Sequence, residues 1–334
     1  MSAPARSSAP AISPDMQTLL APTIDSRSSW RELFILPLAA LFLAMVIGAV
    51  IMIATSVAPS TILQSFVAMA RGSVGSLHAI SETLTAAIPL VLAGLGIGLA
   101  FRAGLFNIGA EGQMVVGGLA TAIASFSITG IPIWLHLPLV LAVGLCVGAV
   151  YAAIAGLLKA ATGAHEVIST IMLNLISFRL LDYMLRQPFI QKEGRSDPIS
   201  KAVLETAELP RILEFLDGNL RLHAGLFIML AAVAVIYWLL FRSKLGFAFR
   251  ISGENPGAAR YAGIRAGLTI VLAMAIAGAL EAGGRQMQVD AGVSIDMIGI
   301  IQALIIIFVA APLLVRRIFP PLFREARHKD EDHG

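Results

Sequence analysis

LPLVLAVGLCVGAVYAAIAGLL, residues 137–158, contains no charged residue and is long enough to cross a lipid bilayer as a helix. A bilayer core is spanned by about 20 helical residues. LFILPLAALFLAMVIGAVIMI at 33–53 is a second such run, and shorter uncharged runs occupy 224–241 and 297–314. Over the whole chain, 57% of residues are hydrophobic and only 13% are charged, against about 25% charged in ordinary soluble domains. The sequence predicts an all-α polytopic membrane protein.

The distribution of hydrophobic and basic residues predicts the topology. Basic residues mark cytoplasmic loops, and 242–267 carries five basic residues against one acidic residue, while Arg316 and Arg317 follow the last apolar run. About eight transmembrane helices, with both termini cytoplasmic, then place 186–222 outside as an extracytoplasmic loop and 242–267 inside. We expect a disordered cytoplasmic tail at 1–30, a transmembrane domain at 31–317 and a cytoplasmic tail at 318–334. The eight predicted spans are 33–53, 79–101, 113–129, 137–158, 166–185, 224–241, 268–284 and 297–314.

Several classes of function are disfavoured by the sequence. Cys146 is the single cysteine, so an intrachain disulfide and a cysteine-based metal site are excluded. The sequence has no GxxxxGK[ST] phosphate loop and no HExxH or GxSxG motif, which argues against an ATPase or a hydrolase. The net charge of +3 comes from basic residues that flank apolar runs. We therefore expect a lipid bilayer rather than a nucleic acid as partner, and we expect no enzyme activity, metal or cofactor in this chain.

The basic loop contains a short predicted helix. Asn255 is a suitable N-cap, Pro256 suits the first helical position and Gly263 supplies a stop. A helix of about two turns is unstable alone in water. It either packs on the cytoplasmic face of its own protein or is presented to a soluble subunit through Arg250, Arg260 and Tyr261.

The fifth predicted span carries a stripe of polar residues on one helical face. Polar groups in hydrocarbon turn towards protein or a water-filled path, so the stripe either makes hydrogen bonds between helices or lines a path, and Gln302 in the last span has the same two interpretations. Arg179 and Asp182 are predicted to pair near the outer interface. Gly144 and Gly148 form a GxxxG pattern that permits close helix approach. The stripe consists of Glu166, Thr170, Asn174 and Ser177.

GLFNIGAEGQ at 104–113 interrupts the apolar pattern between the second and third spans. Gly104 can end one helix, Asn107 can cap the next, and Glu111 then stands in the first turn, where the helix dipole favours an anion. These local roles do not explain why an acid, two amides and three glycines occur together.

Four segments resemble one family when taken in order. They are AFRAGLFNIGAEGQMVVGGLA (100–120), HEVISTIMLN (165–174), GENPGAARYAGI (253–264) and IIQALIIIFVAAP (300–312). Together they resemble the membrane permease subunits of bacterial ABC importers in the branched-chain amino acid and ribose permease superfamily, in the branch for nucleosides and simple sugars. The resemblance implies a multi-pass protein of the bacterial inner membrane that conducts substrate without hydrolysing ATP. It also implies an ABC ATPase subunit that uses the ATP, a second permease subunit in a hetero- or homodimer, and an extracytoplasmic substrate-binding protein.

The resemblance implies one group of site residues, and a hypothesis of our own adds a second. The 253–264 helix would couple the ATPase to the spans through Gly253, Glu254, Asn255, Pro256, Arg260 and Tyr261. We hypothesise that Asn107, Glu111 and Gln113 hold a tight re-entrant or gating turn near the translocation path. Further candidates for the path are Glu166, Thr170, Asn174 and Gln302.

The resemblance breaks between Leu280 and Glu281. Members of this branch carry a glycine-rich segment and a further apolar run there, whereas AGAL (277–280) continues directly into EAGGRQMQ (281–288) in this chain. A functional compact variant, a defective paralogue and an altered gene model all remain open. The alternative function is accordingly a degenerate or non-transporting membrane subunit that lacks a family-typical segment after Leu280.

Overall fold

The protein is described by a computed structural model that covers residues 58–194 and 197–289, with side chains through Gly284, and isolated positions before residue 58. Between Pro59 and Val289 the described chain forms nine α-helices and one short 3-10 helix, Glu205–Ala207. The α-helices are α1 (Pro59–Val74), α2 (Leu77–Arg102), α3 (Ala110–Ser127), α4 (Ile133–Thr162), α5 (Glu166–Leu185), α6 (Gly225–Arg242), α7 (Lys244–Glu254), α8 (Pro256–Tyr261) and α9 (Ala266–Val289).

Five of these helices are long and apolar enough to cross a membrane, namely α2, α4, α5, α6 and α9. They confirm the second, fourth, fifth, sixth and seventh predicted spans as helices, and α5 matches the predicted 166–185 at both ends. The third predicted span corresponds to α3, which is not among the five because Glu111 and Gln113 lie in its first turns. The eighth predicted span and Gln302 lie outside the described residues, and only isolated positions of the first span lie within them.

Helix α9 forms the centre of the bundle because small residues let it approach three neighbours closely. Gly278 of α9 faces Gly148 of α4, and a side-chain carbon on Gly148 would lie 2.6 Å from the carbonyl oxygen of Gly278. Ala282 fills the space left by Gly117 of α3 and by Gly148. Side chains larger than these would separate the helices and forfeit their van der Waals contacts. The GxxxG glycine Gly148 therefore mediates close helix approach, as predicted.

The junction between Leu280 and Glu281 lies in the middle of α9, which continues through it without interruption. Residues on both sides of the junction pack into the same bundle: Gly278 against α4, and Gly284 against Pro89 of α2. Glu281 itself is fully buried. The direct joining of 280 to 281 is thus accommodated by regular helix packing.

The predicted extracytoplasmic loop folds onto the bundle. Leu209, Leu220 and Leu222 are buried, and the Leu222 amide donates to Ser81 Oγ of α2 at 3.1 Å. His136 at the start of α4 is also buried, and its Nδ1 lies 2.7 Å from Thr206 Oγ1. Two isolated β-bridges, Gln191–Ser200 and Arg211–His223, are the β structure recorded in the described part of the chain.

The basic loop contains two helices where the sequence predicted one. The predicted helix is α8, with Asn255 Oδ1 accepting from the Ala258 amide at 3.0 Å, Pro256 at its start and Gly263 at a φ of +75° after its end. Helix α7 precedes it and was not predicted. Phe249 explains α7, because its fully buried side chain joins a core cluster that includes Leu99 of α2.

Candidate functional site

The segment 105–109 is a non-helical stretch that turns back into the helix bundle. Helix α2 ends at Arg102, and Gly104, with a φ of +73°, reverses the chain. Asn107 then contacts Glu281 of α9, with 3.1 Å between Nδ2 and Oε1. The Glu281 carboxylate also lies against Gly96, which is six residues before the end of α2, or about 9 Å along the helix axis. The segment is therefore re-entrant, and α3 begins inside the bundle.

Non-helical backbone at membrane depth needs partners for its amides and carbonyls, because hydrocarbon offers none. Polar side chains of α5 supply several of them here. The Phe106 amide donates to Glu166 Oε1 at 3.3 Å. Asn174 Nδ2 donates to the Ile108 carbonyl at 2.9 Å, and Asn174 Oδ1 accepts from the Gly112 amide at 2.9 Å. Two side chains on one face of α5 thus hold the re-entrant segment from its beginning to the first turn of α3.

Hydrogen bonds among residues 107–113 also stabilise the re-entrant segment. Asn107 Oδ1 accepts from the Gly109 amide at 2.8 Å and from Gln113 Nε2 at 3.2 Å. Asn107 therefore forms a turn with Gly109, and the prediction that it caps α3 is wrong: Gly109 occupies the N-cap position and has no side chain to act as a cap. The Asn107 side chain is used by the re-entrant turn two residues earlier. We call the five residues that make these contacts the clasp: Asn107, Gln113, Glu166, Asn174 and Glu281.

The polar stripe on α5 faces this segment. Glu166, Thr170 and Ser177 are buried, and Thr170 packs against Gly109. Glu166 Oε2 also accepts from Lys159 Nζ at 2.6 Å, which pairs a cation with the anion that holds Phe106. In the structure these side chains make hydrogen bonds and packing contacts within the chain, and their role in lining a path stays a prediction.

Two further sequence predictions have definite outcomes. Glu111 lies in the first turn of α3, as predicted. The predicted pair of Arg179 with Asp182 is wrong: Asp182 Oδ1 pairs with Arg186 at 3.0 Å. Spacings of three and four residues both bring side chains together on a helix, so the spacing alone did not select the partner.

The candidate coupling residues surround a direct contact with the re-entrant segment. Gly253 of α7 packs on Gly104, and a side-chain carbon at Gly253 would lie 2.5 Å from the Arg102 carbonyl oxygen and 2.7 Å from the Gly104 nitrogen. Leu105 and Phe249 are buried in the same core cluster. Glu254, Asn255, Pro256 and Arg260 are exposed, and Tyr261 is 97% exposed. The end of α7 and helix α8 therefore expose mainly polar side chains, while Gly253 on the inner side contacts the start of the re-entrant segment.

Sequence reasoning missed two members of this site. Glu281 is the one carboxylate within 268–284, and a charge in an apolar span is a signal that could have singled it out. The contact of Gly253 with Gly104 joins residues far apart in sequence, and a glycine in a loop carries no local sign of its partner.

Comparisons with known proteins agree with the sequence resemblance. Residues 79–314 match the family described as branched-chain amino acid transport system permease component. The guanosine ABC transporter permease protein NupP of Bacillus subtilis is 34% identical over 246 residues, which cover 73% of this chain and 68% of the relative. The nucleoside ABC transporter permease protein NupB of Lactococcus lactis is 33% identical, with coverage of 74% and 68%.

A third relative is named for a sugar. The glucose ABC transporter permease protein TsgB13 of Haloferax volcanii is 32% identical over 254 residues, which cover 74% of this chain and 66% of the relative. No solved structure matches the chain. The family match covers more than two thirds of the sequence and includes the whole re-entrant segment, the α5 stripe and the α7–α8 loop. The chain belongs to the branched-chain amino acid transport system permease family, as a multi-pass membrane protein.

Proposed function

We propose that this chain is the membrane-spanning subunit of an ATP-binding cassette importer that translocates a nucleoside or a simple sugar, with a nucleoside as the first expectation. The similarity to two nucleoside permeases at 33–34% identity carries this proposal. The sugar remains the second expectation because the glucose permease is similar at 32%.

The proposed assembly has four kinds of component. A separate ABC ATPase subunit hydrolyses ATP, so this chain binds neither ATP nor another cofactor and is not itself an enzyme. A second permease subunit completes the membrane path as a homo- or heterodimer, and an extracytoplasmic substrate-binding protein delivers the substrate. The assembly lies in the bacterial inner membrane, with both termini and the α7–α8 loop in the cytoplasm. The five basic residues in 242–267 support this orientation.

The proposed mechanism couples the ATPase to the re-entrant segment. The ATPase binds the exposed surface of α8, around Arg260 and Tyr261, and moves α7 and α8 together. Gly253 transmits this movement to Gly104, since their backbones are in direct contact. The clasp keeps the re-entrant segment as one unit, so that it shifts as a gate instead of unfolding. Asn107, Glu111, Gln113, Glu166, Thr170 and Asn174 are the gating residues of this proposal, and Gln302 is a further path candidate.

The alternative is a degenerate or non-transporting subunit that lacks a family-typical segment after Leu280. The packing around the junction supports a functional compact variant instead. Ala282 fits between Gly117 and Gly148, and Glu281 reaches Asn107 of the re-entrant segment. Residues after the junction thus complete the site that precedes it.

Uptake by the reconstituted importer tests the proposal. The full chain is coexpressed with the ATPase, second permease and binding protein of its own organism, and the complex is placed in proteoliposomes containing ATP. We expect uptake of labelled guanosine or uridine that requires ATP and exceeds uptake of glucose. Preferential glucose uptake would support the second substrate class. Copurification of the partners without uptake of any probe would favour the non-transporting alternative, and failure to bind an ATPase would contradict the proposal itself.

A further inference from the structure

Two guanidinium groups flank a single aromatic ring at the α7 end of the bundle. The Arg102 Cζ lies 5.9 Å from the centroid of the Phe241 ring, and the Arg250 Cζ lies 5.5 Å from the same centroid. Each pair is within the range of a cation–π interaction. The three residues come from the end of α2, the last turn of α6 and the middle of α7. Three elements therefore bring two positive charges to one small patch of surface.

The positive charge of this patch is uncompensated within the described residues. None of the ion pairs recorded there includes Arg102 or Arg250. The Nε atom of Arg250 is buried without an acceptor, and Glu254, one turn further along α7, makes no ion pair with it. Arg242 and Lys244 follow Phe241 closely in sequence and add to the charge. Like charges repel, and a buried donor without an acceptor is costly, so the patch is complementary to an anion.

The position of the patch relative to the membrane boundary indicates which kind of anion it binds. Phe241 is the last residue but one of the α6 span. Tyr237, one turn earlier, packs against it with 5.2 Å between the ring centroids and an angle of 43° between the ring planes. Tyr237 and Trp238 are each 59% exposed. Aromatic residues at the end of a span mark the boundary between the hydrocarbon and the headgroups. We therefore expect the two guanidinium groups beside Phe241 to lie at the level of lipid phosphates.

We propose that Arg102, Arg250 and Phe241 form a binding site for the headgroup phosphate of an anionic phospholipid. The guanidinium groups donate hydrogen bonds to the phosphate oxygens, and the acyl chains lie along Tyr237 and Trp238. Basic sites beside the ends of spans bind anionic headgroups in this manner. The bound phosphate would join the end of α2 to α7 beside the contact between Gly104 and Gly253. The site does not depend on the transported substrate.

Lipid retention by the full-length chain tests this site. The chain is purified in detergent, mixed with equal amounts of phosphatidylglycerol and phosphatidylcholine, and measured by native mass spectrometry. We expect preferential retention of phosphatidylglycerol by about tenfold or more, since each basic residue near an anionic headgroup contributes several-fold to its affinity. Equal retention of both lipids by the wild-type chain would overturn the proposal. Displacement of phosphatidylglycerol by millimolar inorganic phosphate would assign the patch to a free anion and would also overturn it.

Two variants locate the bound lipid. The double variant Arg102→Gln with Arg250→Gln is expected to lose the preference for phosphatidylglycerol. Arg265→Gln is the matched control, because Arg265 is an exposed basic residue of the same loop and lies outside the patch. An unchanged preference in the double variant would contradict the assignment. If the double variant keeps its lipid preference and instead loses copurification of the ATPase, the patch binds a protein carboxylate and the lipid site is excluded.

Discussion

Replacing Asn174 by alanine removes two hydrogen bonds that hold the re-entrant segment. Asn174 Nδ2 donates to the Ile108 carbonyl and Asn174 Oδ1 accepts from the Gly112 amide, each at 2.9 Å. The alanine methyl group offers neither backbone group a new hydrogen-bond partner. The structure places these two bonds on either side of the start of α3, so their loss frees the turn between the segment and the helix.

The expected cost follows from the number of backbone groups left without a partner. A buried donor or acceptor that loses its partner costs about 1–3 kcal/mol. Two fully buried groups would give a loss of about 2–6 kcal/mol in the free energy of unfolding. Both bonds of Asn174 are partly buried, so we expect a loss towards the lower end of this range, which is still a large fraction of the total stability of a typical protein. Even the lower end of this range exceeds the average hydrogen bond between membrane helices, about 0.6 kcal/mol.

Ser177→Ala is the matched control on the same helix face. Ser177 is as buried as Thr170, and its hydroxyl donates to the Asn174 carbonyl at 2.6 Å within the helix. Its removal deprives no backbone amide of an acceptor, so we expect a loss below about 1 kcal/mol.

Unfolding of the purified variants and uptake by the reconstituted complex measure the two consequences. We expect Asn174→Ala to be less stable than Ser177→Ala by at least about 1 kcal/mol and to show reduced uptake while still copurifying with its ATPase. The reasoning would be refuted if the two variants had equal stability and both retained wild-type uptake. In that case the re-entrant segment would not depend on its side-chain partners.

Three further substitutions probe the rest of the site. Gly253→Ala places a carbon 2.5 Å from a backbone oxygen of α2. We expect this variant to keep ATP hydrolysis while its uptake falls at least about tenfold, equivalent to about 1.4 kcal/mol. Gly98→Ala is the control, because its added carbon meets nothing within 4 Å, and it should retain uptake. Glu281→Leu removes one of the two side chains that accept from Asn107 Nδ2 and leaves only the longer bond to Gln113 Oε1 at 3.3 Å, so we expect a loss of stability of about 1–3 kcal/mol. Glu281→Gln keeps an acceptor at this position and should lose less in the same unfolding assay. Ala282→Leu overfills the contact of α9 with α3 and α4 and should cost about 1–3 kcal/mol; an unchanged melting temperature would show that the helices do not pack there.

The parts of the fold that the sequence predicted well are those that depend on local signals. Helix α5 was predicted at both ends because a charged residue opens an apolar run of membrane length. Helix α8 was predicted from Asn255, Pro256 and Gly263, whose side chains or backbone freedom act within one turn. Helix α7 was missed because its stability comes from Phe249, which is buried against helices distant in sequence.

The sequence predicted most of the residues of the candidate site, but it did not predict which partners they contact. The acid and amides of GLFNIGAEGQ and of α5 were singled out because polar side chains in apolar sequence require partners. Glu166 and Asn174 of α5 pair with backbone groups around the re-entrant segment, whereas Asn107 pairs with the side chains of Gln113 and Glu281. No local pattern specifies these pairings. Glu281 joins them from α9 because close packing of small residues brings that helix to the centre of the bundle.

The contact of Asn107 with Glu281 bears on the joining of Leu280 to Glu281. A deletion that only removed helices would leave the family-like segment 104–113 facing a cavity or lipid, with its polar groups unpartnered at membrane depth. Instead, the first residue after the junction accepts from Asn107 at 3.1 Å, and the next fills the space at two glycines. Any shift of the junction by one residue would rotate Glu281 by about 100° around α9 and separate it from Asn107. The register of the junction therefore provides a partner for the re-entrant segment, which supports our proposal of a compact permease over the non-transporting alternative.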